Sequence, residues 1–181
     1  MRLNLIVVAA IGLGSGLFGA VQVAAARPSN STCELPRDLQ SVIESKYPGR
    51  TVVNLSDLGD DDKGFFQKAH GDACPGLVKV DFYGDGKPTL ALALTTKSVA
   101  KGRTELVVAH QIGAIWKTMT LETTPGDAPV VWSERPGEYK DVYGEKSIRA
   151  TRPVIIFCRY EAWAILYAWT NNRMAKIWVM D

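Results

Sequence analysis

The apolar positions of this chain fall into three successive patterns, and each predicts a different kind of segment. From Leu5 to Val23 they run nearly unbroken, behind the basic Arg2 and ahead of Ala24-Ala25-Ala26. From Pro36 to His70 they recur at helical spacing. Leu39, Val42 and Ile43 mark a short amphipathic helix over 36–47 that stops at Pro48-Gly49, a usual helix ending. Asp60-Asp61-Asp62 then offers a capping oxygen and dipole-matched charge for a second helix, which ends near His70-Gly71 and buries Phe65, Phe66 and Ala69. Between the two, 51–55 is β-branched and apolar enough for a strand.

Beyond Gly76 the pattern becomes that of strands, predicted over 77–82, 89–95, 105–110, 114–122, 130–132, 154–158, 163–170 and 173–180. Parallel neighbours would need crossovers of a dozen or more residues, so spacings this short require antiparallel pairing. The expected fold class is α+β. Two short N-terminal helices pack on a mainly antiparallel sheet of about seven to eight strands that ends in a C-terminal hairpin. The interval 123–152, punctuated by Pro125-Gly126, Pro136-Gly137 and Gly144, reads as the most loop-like.

The hairpin is the best-defined unit, because asparagine tolerates the left-handed backbone of a two-residue turn at Asn171-Asn172. That turn sets Trp169 opposite Met174, Tyr167 opposite Lys176, Ile165 opposite Trp178 and Trp163 opposite Met180, all on one aromatic face. The other face holds small and aliphatic side chains such as Ala164, Leu166 and Ile177. Trp163, Tyr167, Trp169 and Trp178 are therefore candidate binding residues, since flat rings contact sugars or protein ridges at little entropic cost. The competing and favoured reading buries this face against the helices.

Length and composition fit one domain: 181 residues, 46% hydrophobic and 22% charged. Twenty-one Lys and Arg stand against 19 Asp and Glu, a balance that leaves no electrostatic footprint for nucleic acid. Residues 1–26 read as a signal peptide cut after Ala26, or one residue earlier, leaving 27–181 as a single globular domain in the periplasm or secreted. The bland alternative is an uncleaved anchor. Nothing after residue 26 is long and apolar enough to span a bilayer.

Export permits disulfides, and three cysteines allow three single pairings. Cys158 ends the apolar run 154–157 and reads as a small buried side chain. Cys33 and Cys74 lie in polar, proline-flanked stretches, so Cys33–Cys74 is the preferred bridge.

Two resemblances come from local sequence. Asp81 to Ala91 resembles the calcium loop of integrin-type FG-GAP repeats, which makes Asp81 and Asp85 candidate calcium ligands. Tyr83 and Thr89 replace ligand-type residues, so a glycine-shaped hairpin with both aspartates capping backbone N–H groups is the favoured reading. More broadly, Tyr47-Pro48-Gly49-Arg50, the His70 to Gly76 stretch and the aromatic closing hairpin make the chain similar to small exported bacterial proteins of uncharacterised type. That resemblance implies a shared fold and export and transfers no activity.

No His-Glu-x-x-His or Gly-x-Ser-x-Gly string occurs. His70 lies four residues before Cys74, a spacing that could bring an imidazole to a thiol, but a disulfide would remove the nucleophile. The expected function is an exported, noncatalytic binding or inhibitor-like module acting on an envelope or extracellular protein or glycan. A small envelope hydrolase and a calcium-stabilised structural protein are the alternatives, and calcium is the one cofactor any motif implies.

Overall fold

The computed structural model describes residues 33–96, 102–126 and 128–180; the signal segment 1–26 lies outside them. In chain order come α1 (Arg37–Lys46), β1 (Arg50–Val52), a 3₁₀ turn (Leu55–Asp57) and α2 (Asp60–His70). Strands follow: β2 (Leu77–Val80), β3 (Thr89–Thr96), β4 (Arg103–Ile112), β5 (Ile115–Pro125) and β6 (Val130–Glu134). The remainder are β7 (Gly137–Lys140), β8 (Ser147–Ala150), β9 (Val154–Arg159), β10 (Trp163–Thr170) and β11 (Arg173–Met180). The fold class is α+β and every strand pairing is antiparallel.

The single sheet expected from sequence is instead three among the described residues. A five-stranded sheet runs β1-β3-β4-β5, with β2 pairing β3 further along the same strand. A four-stranded sheet runs β11-β10-β9-β6, and β7 and β8 form a separate pair. The reason lies in β3, whose side chains are buried on both faces from Thr89 to Thr95. One row, Leu90, Leu92 and Leu94, joins Val107, Ala109 and Trp116 beneath Leu39 and Ile43 of α1. The other row, Ala91 and Ala93, joins Leu106 and Val108 in a core shared with β9 and β10. A sheet apolar on both faces needs a cover on each side. Here one cover is a helix and the other a second sheet.

Several local expectations change. The interval 123–152 contains β6, β7 and β8, because Pro136-Gly137 and Gly144 punctuate short strands rather than mark a continuous loop. Ile148 and Ala150 bury their side chains, and the β7–β8 pair packs on β10 and β11. In α2, Phe66 is buried while Phe65 is 43% exposed and Ala69 is also exposed, so the inward side runs through Phe66 and the half-buried His70. Gly59 caps that helix without a side-chain bond, and the three aspartates occupy its first turn. Their contribution is charge near the helix dipole, not a capping oxygen.

The C-terminal hairpin keeps the predicted register for Trp169–Met174, Tyr167–Lys176 and Ile165–Trp178, with Asn171 and Asn172 both at positive φ (51° and 57°). A shift between Ala164 and Ile165 puts Ala164 opposite Met180. Trp163 therefore does not face Met180; its strand partner is Arg159 of β9.

One junction ties these layers. Cys33 and Cys74 form a disulfide with Cα atoms 5.0 Å apart. Next to it, Gly76 accepts from Ala93 N–H at 2.9 Å, Ala93 accepts from Val53 N–H at 2.9 Å, and Pro75 accepts from Val131 N–H at 2.7 Å. Consecutive residues thus bind β3 and β6, which belong to different sheets. A Cβ at Gly76 would fall 2.5 Å from the carbonyl oxygen and 2.6 Å from the nitrogen of Val53, so only glycine lets the two backbones approach this closely.

Gly76→Ala is expected to cost about 2 kcal/mol in urea unfolding, an overpacking penalty taken up by backbone that cannot swing aside. A midpoint equal to wild type would contradict that close approach. The double variant Cys33→Ser/Cys74→Ser, which opens a loop spanning 41 positions, should lose about 4 kcal/mol on the chain-entropy model. Reducing agent should destabilise wild type and leave the double variant unaffected.

Candidate functional site

The hairpin's aromatic row is largely spent inside the protein. Tyr167 is 2% exposed, Trp163 and Trp169 are half-buried, and Trp178 is 43% exposed. The cover comes from the five-stranded sheet rather than from the helices. Tyr167 donates its hydroxyl to Glu122 Oε2 of β5 at 2.8 Å, and Lys176 Nζ bonds the same oxygen. Trp169 meets Tyr83 edge-on at 4.9 Å between ring centres, and Tyr83 lies 4.5 Å from the His110 ring. Trp163 packs on Phe157 and against Trp178, over whose ring Lys176 Nζ sits at 5.5 Å. The Trp178 end of the row is what solvent reaches.

This seam between sheets shifts its ionisable groups. Burial pushes the Tyr167 phenol above its ordinary value, and its bond to Glu122 adds to that. Burial alone would raise Glu122, but the bonds it accepts from Lys176 and Tyr167 outweigh it and hold the carboxyl below the usual range.

The turn carrying the candidate calcium ligands is glycine-shaped, with Gly84 and Gly86 at φ of 67° and 72°. Asp85 Oδ1 accepts from the Lys87 backbone N–H at 3.1 Å, while Oδ2 lies 3.2 Å from His110 Nε2. Asp81 is exposed at the end of β2. Among the described residues no three or more His, Cys, Asp and Glu side chains gather where they could hold a metal. His110 also lies 3.0 Å from the Thr89 hydroxyl through Nδ1, because Thr89 and His110 face each other across β3 and β4. The resulting hydroxyl–imidazole–carboxylate array resembles a nucleophile with its base. Thr89 has no exposed surface, however, so a substrate cannot reach that hydroxyl.

The other reactive candidates are likewise enclosed. His70 lies between Phe66 and Trp132, its ring tilted against each with centres 4.9 and 5.1 Å away, and burial lowers its pKa while the Glu134 charge partly restores it. Its neighbour in sequence, Cys74, is locked in the disulfide. Cys158 is a free, buried thiol that burial pushes up to about 12, which keeps it protonated and inert.

A concavity lies on the far side of the five-stranded sheet. A groove of about 490 Å³ opens beside the start of α1, within the size range of small-ligand sites. Leu77 of β2, Leu90 of β3 and Trp116 of β5 give it an apolar floor, extended by Pro36 and Pro88. Glu34, Asp38, Lys79 and Gln111 supply its polar groups. Trp116 donates its indole N–H to Asp38 Oδ2 at 2.7 Å, fixing one carboxylate against the floor. Among the described residues no ion pair joins Glu34 or Asp38 to a cation, and Lys79 likewise meets no carboxylate.

The disulfide helps to set the groove's walls. Glu34 follows Cys33 directly, and Leu77 and Lys79 follow Cys74 by three and five positions. Sequence patterning did not single out this site. Its residues come from four separate strands or turns plus α1, with no shared motif; the one local sign is a Pro-flanked Glu34/Asp38 pair beside a cysteine.

For the seam, the sign of pH dependence follows from the lowered Glu122 carboxyl: its stabilisation is complete above the ordinary glutamate range and disappears as pH falls through the folded value. Glu122→Gln should therefore flatten the loss of stability between pH 5 and about 3, and Tyr167→Phe should cost about 2 kcal/mol at neutral pH. Unfolding curves across that range check both, and an unchanged acid limb in the Glu122→Gln variant would show that this carboxylate does not stabilise the seam. In comparisons with known proteins, no family model, no curated protein and no solved structure matches this chain.

Proposed function

We propose that the chain is an exported, noncatalytic binding module of the bacterial envelope, and that the groove between α1 and the five-stranded sheet holds its partner. The groove carries this reading: it combines an apolar floor with four polar side chains, three of them charged and not neutralised by one another. Ligand sites have this composition, in which apolar surface supplies affinity and a few polar groups fix orientation. At the seam between the two sheets, by contrast, the polar groups are committed, Glu122 to Lys176 and Tyr167, and Asp85 to His110 and Lys87.

A further observation supports the setting. A disulfide between Cys33 and Cys74 persists in an oxidising compartment and is disfavoured in cytosol. No helix among the described residues is long and apolar enough to cross a membrane. The hydrolase alternative draws on the Asp85–His110–Thr89 array, whose hydroxyl is sealed within β3. An envelope protein or a glycan is the class of partner that such a module would meet.

Site-specific photocrosslinking in the exporting cell tests the reading. The full chain carrying p-benzoylphenylalanine at Lys79, in the groove, should fractionate with the envelope and give a discrete crosslinked product. The same residue placed at Lys68, an exposed position on α2, should give none. A chain that stays cytosolic with reduced thiols, or a Lys79 position that yields no product, would overturn the proposal.

A further inference from the structure

We infer that the groove selects a polypeptide segment presenting a basic side chain, an inference that rests on the groove being the binding site. Charge sets the class. Glu34 and Asp38 bring two carboxylates to a site where Lys79 is the one cation. Asp38 has one oxygen taken by the Trp116 indole, a donor that cannot accept in return, so its second oxygen keeps its capacity. Glu34 is exposed and spends neither oxygen on a described side chain. A lysine or arginine whose stem lies along Leu77 and Leu90 would bury its methylenes and deliver its charge to these carboxylates.

The remaining groups suit a peptide backbone. Gln111 can both donate and accept, matching an amide, while Lys79 can only donate and so matches a carbonyl. A free polyamine offers Lys79 no acceptor. An acidic ligand would meet two like charges for one opposite charge, and a neutral sugar would leave all three charges unneutralised.

The Trp116 indole N–H reports on the site directly, since its bond to Asp38 changes when a cation approaches that carboxylate. In ¹⁵N spectra of the oxidised chain, five tryptophans give the indole region, and Trp116→Phe identifies the signal. Four probes are titrated at low salt: acetyl-leucyl-arginyl-leucine amide, its norleucyl and glutamyl counterparts, and cellotriose. The arginyl peptide should shift the Trp116 signal saturably and bind about tenfold tighter than the norleucyl peptide, the worth of one charge-assisted contact. Glu34→Gln and Asp38→Asn should each remove most of that preference, and high salt should shrink it. Both variants keep an acceptor at their positions, and an unchanged melting curve shows that they fold. Equal or tighter binding of the norleucyl peptide, the glutamyl peptide or cellotriose would overturn the basic-peptide inference while the groove remains a binding site. Failure of all four probes to move the Trp116 signal would overturn both.

Discussion

The close approach of Gly76 to Val53 is the constraint on which the rest of the structure depends. Without a Cβ, residue 76 lets the chain leaving the disulfide lie against the backbone just beyond β1. Both cysteine sulfurs sit near the Val53 carbonyl oxygen, at 3.8 and 3.7 Å. From this point the chain reaches β3 through Gly76 and Ala93, and β6 through Pro75 and Val131. Buried backbone polar groups must find partners, and here the partners belong to two different sheets. Satisfying them fixes the position of one layer against the other before any side chain is counted.

That arrangement explains why the two sides of the five-stranded sheet behave so differently. Its inner face meets the four-stranded sheet, and the polar atoms caught between them are paired: Tyr167 and Lys176 to Glu122, and His110 to Asp85 and Thr89. Among the described residues two atoms stand outside this pattern, Thr104 Oγ1 and Tyr160 Oη, which are buried without a partner. On the outer face, α1 covers Leu92, Leu94 and Val107 but stops short of the β2 and β4 ends. A helix of ten residues is about 15 Å long, too short to roof the whole sheet. The groove opens beside the start of α1, where the outer face continues past the helix to Leu77, Lys79 and Gln111.

Much of the fold was legible wherever one local rule decided the outcome. Leu39 and Ile43 are buried as helical spacing required, Cys33 pairs with Cys74, and Asn171-Asn172 turns the hairpin in the predicted register for three of four pairs. Misreadings arose where long-range packing overrode local signs. Phe65 looked like a core residue by composition, yet α2 is rotated so that Phe66 and His70 point inward. A register shift between Ala164 and Ile165, which skips Val179 on β11, broke the last hairpin pair, since a one-residue shift is invisible to strict alternation. Strand propensity alone could not divide one predicted sheet into three, because sheet membership depends on which edges meet. The groove was the least legible feature: Glu34, Lys79, Gln111 and Trp116 become neighbours through pairing across the sheet and the disulfide, not through sequence spacing.

The contrast between spent and unspent polar groups separates the two surfaces that sequence and structure put forward. Trp163, Tyr167 and Trp169 carry the stronger aromatic signal, but each is already engaged, Trp163 with Phe157 and Trp178 of its own sheet, Trp169 with Tyr83, and Tyr167 through its hydroxyl with Glu122 of the facing sheet. Exposing them to a ligand would mean dismantling contacts that hold the sandwich closed. Trp116 differs in kind. Its ring is buried and its indole is bonded, yet the carboxylate it holds still has an oxygen available at the edge of an open groove. A buried donor that orients a partly free acceptor fixes geometry before a ligand arrives, so less ordering is required on binding. The same residue thus anchors α1 to the sheet and prepares the groove, which couples the stability of the outer layer to whatever occupies it.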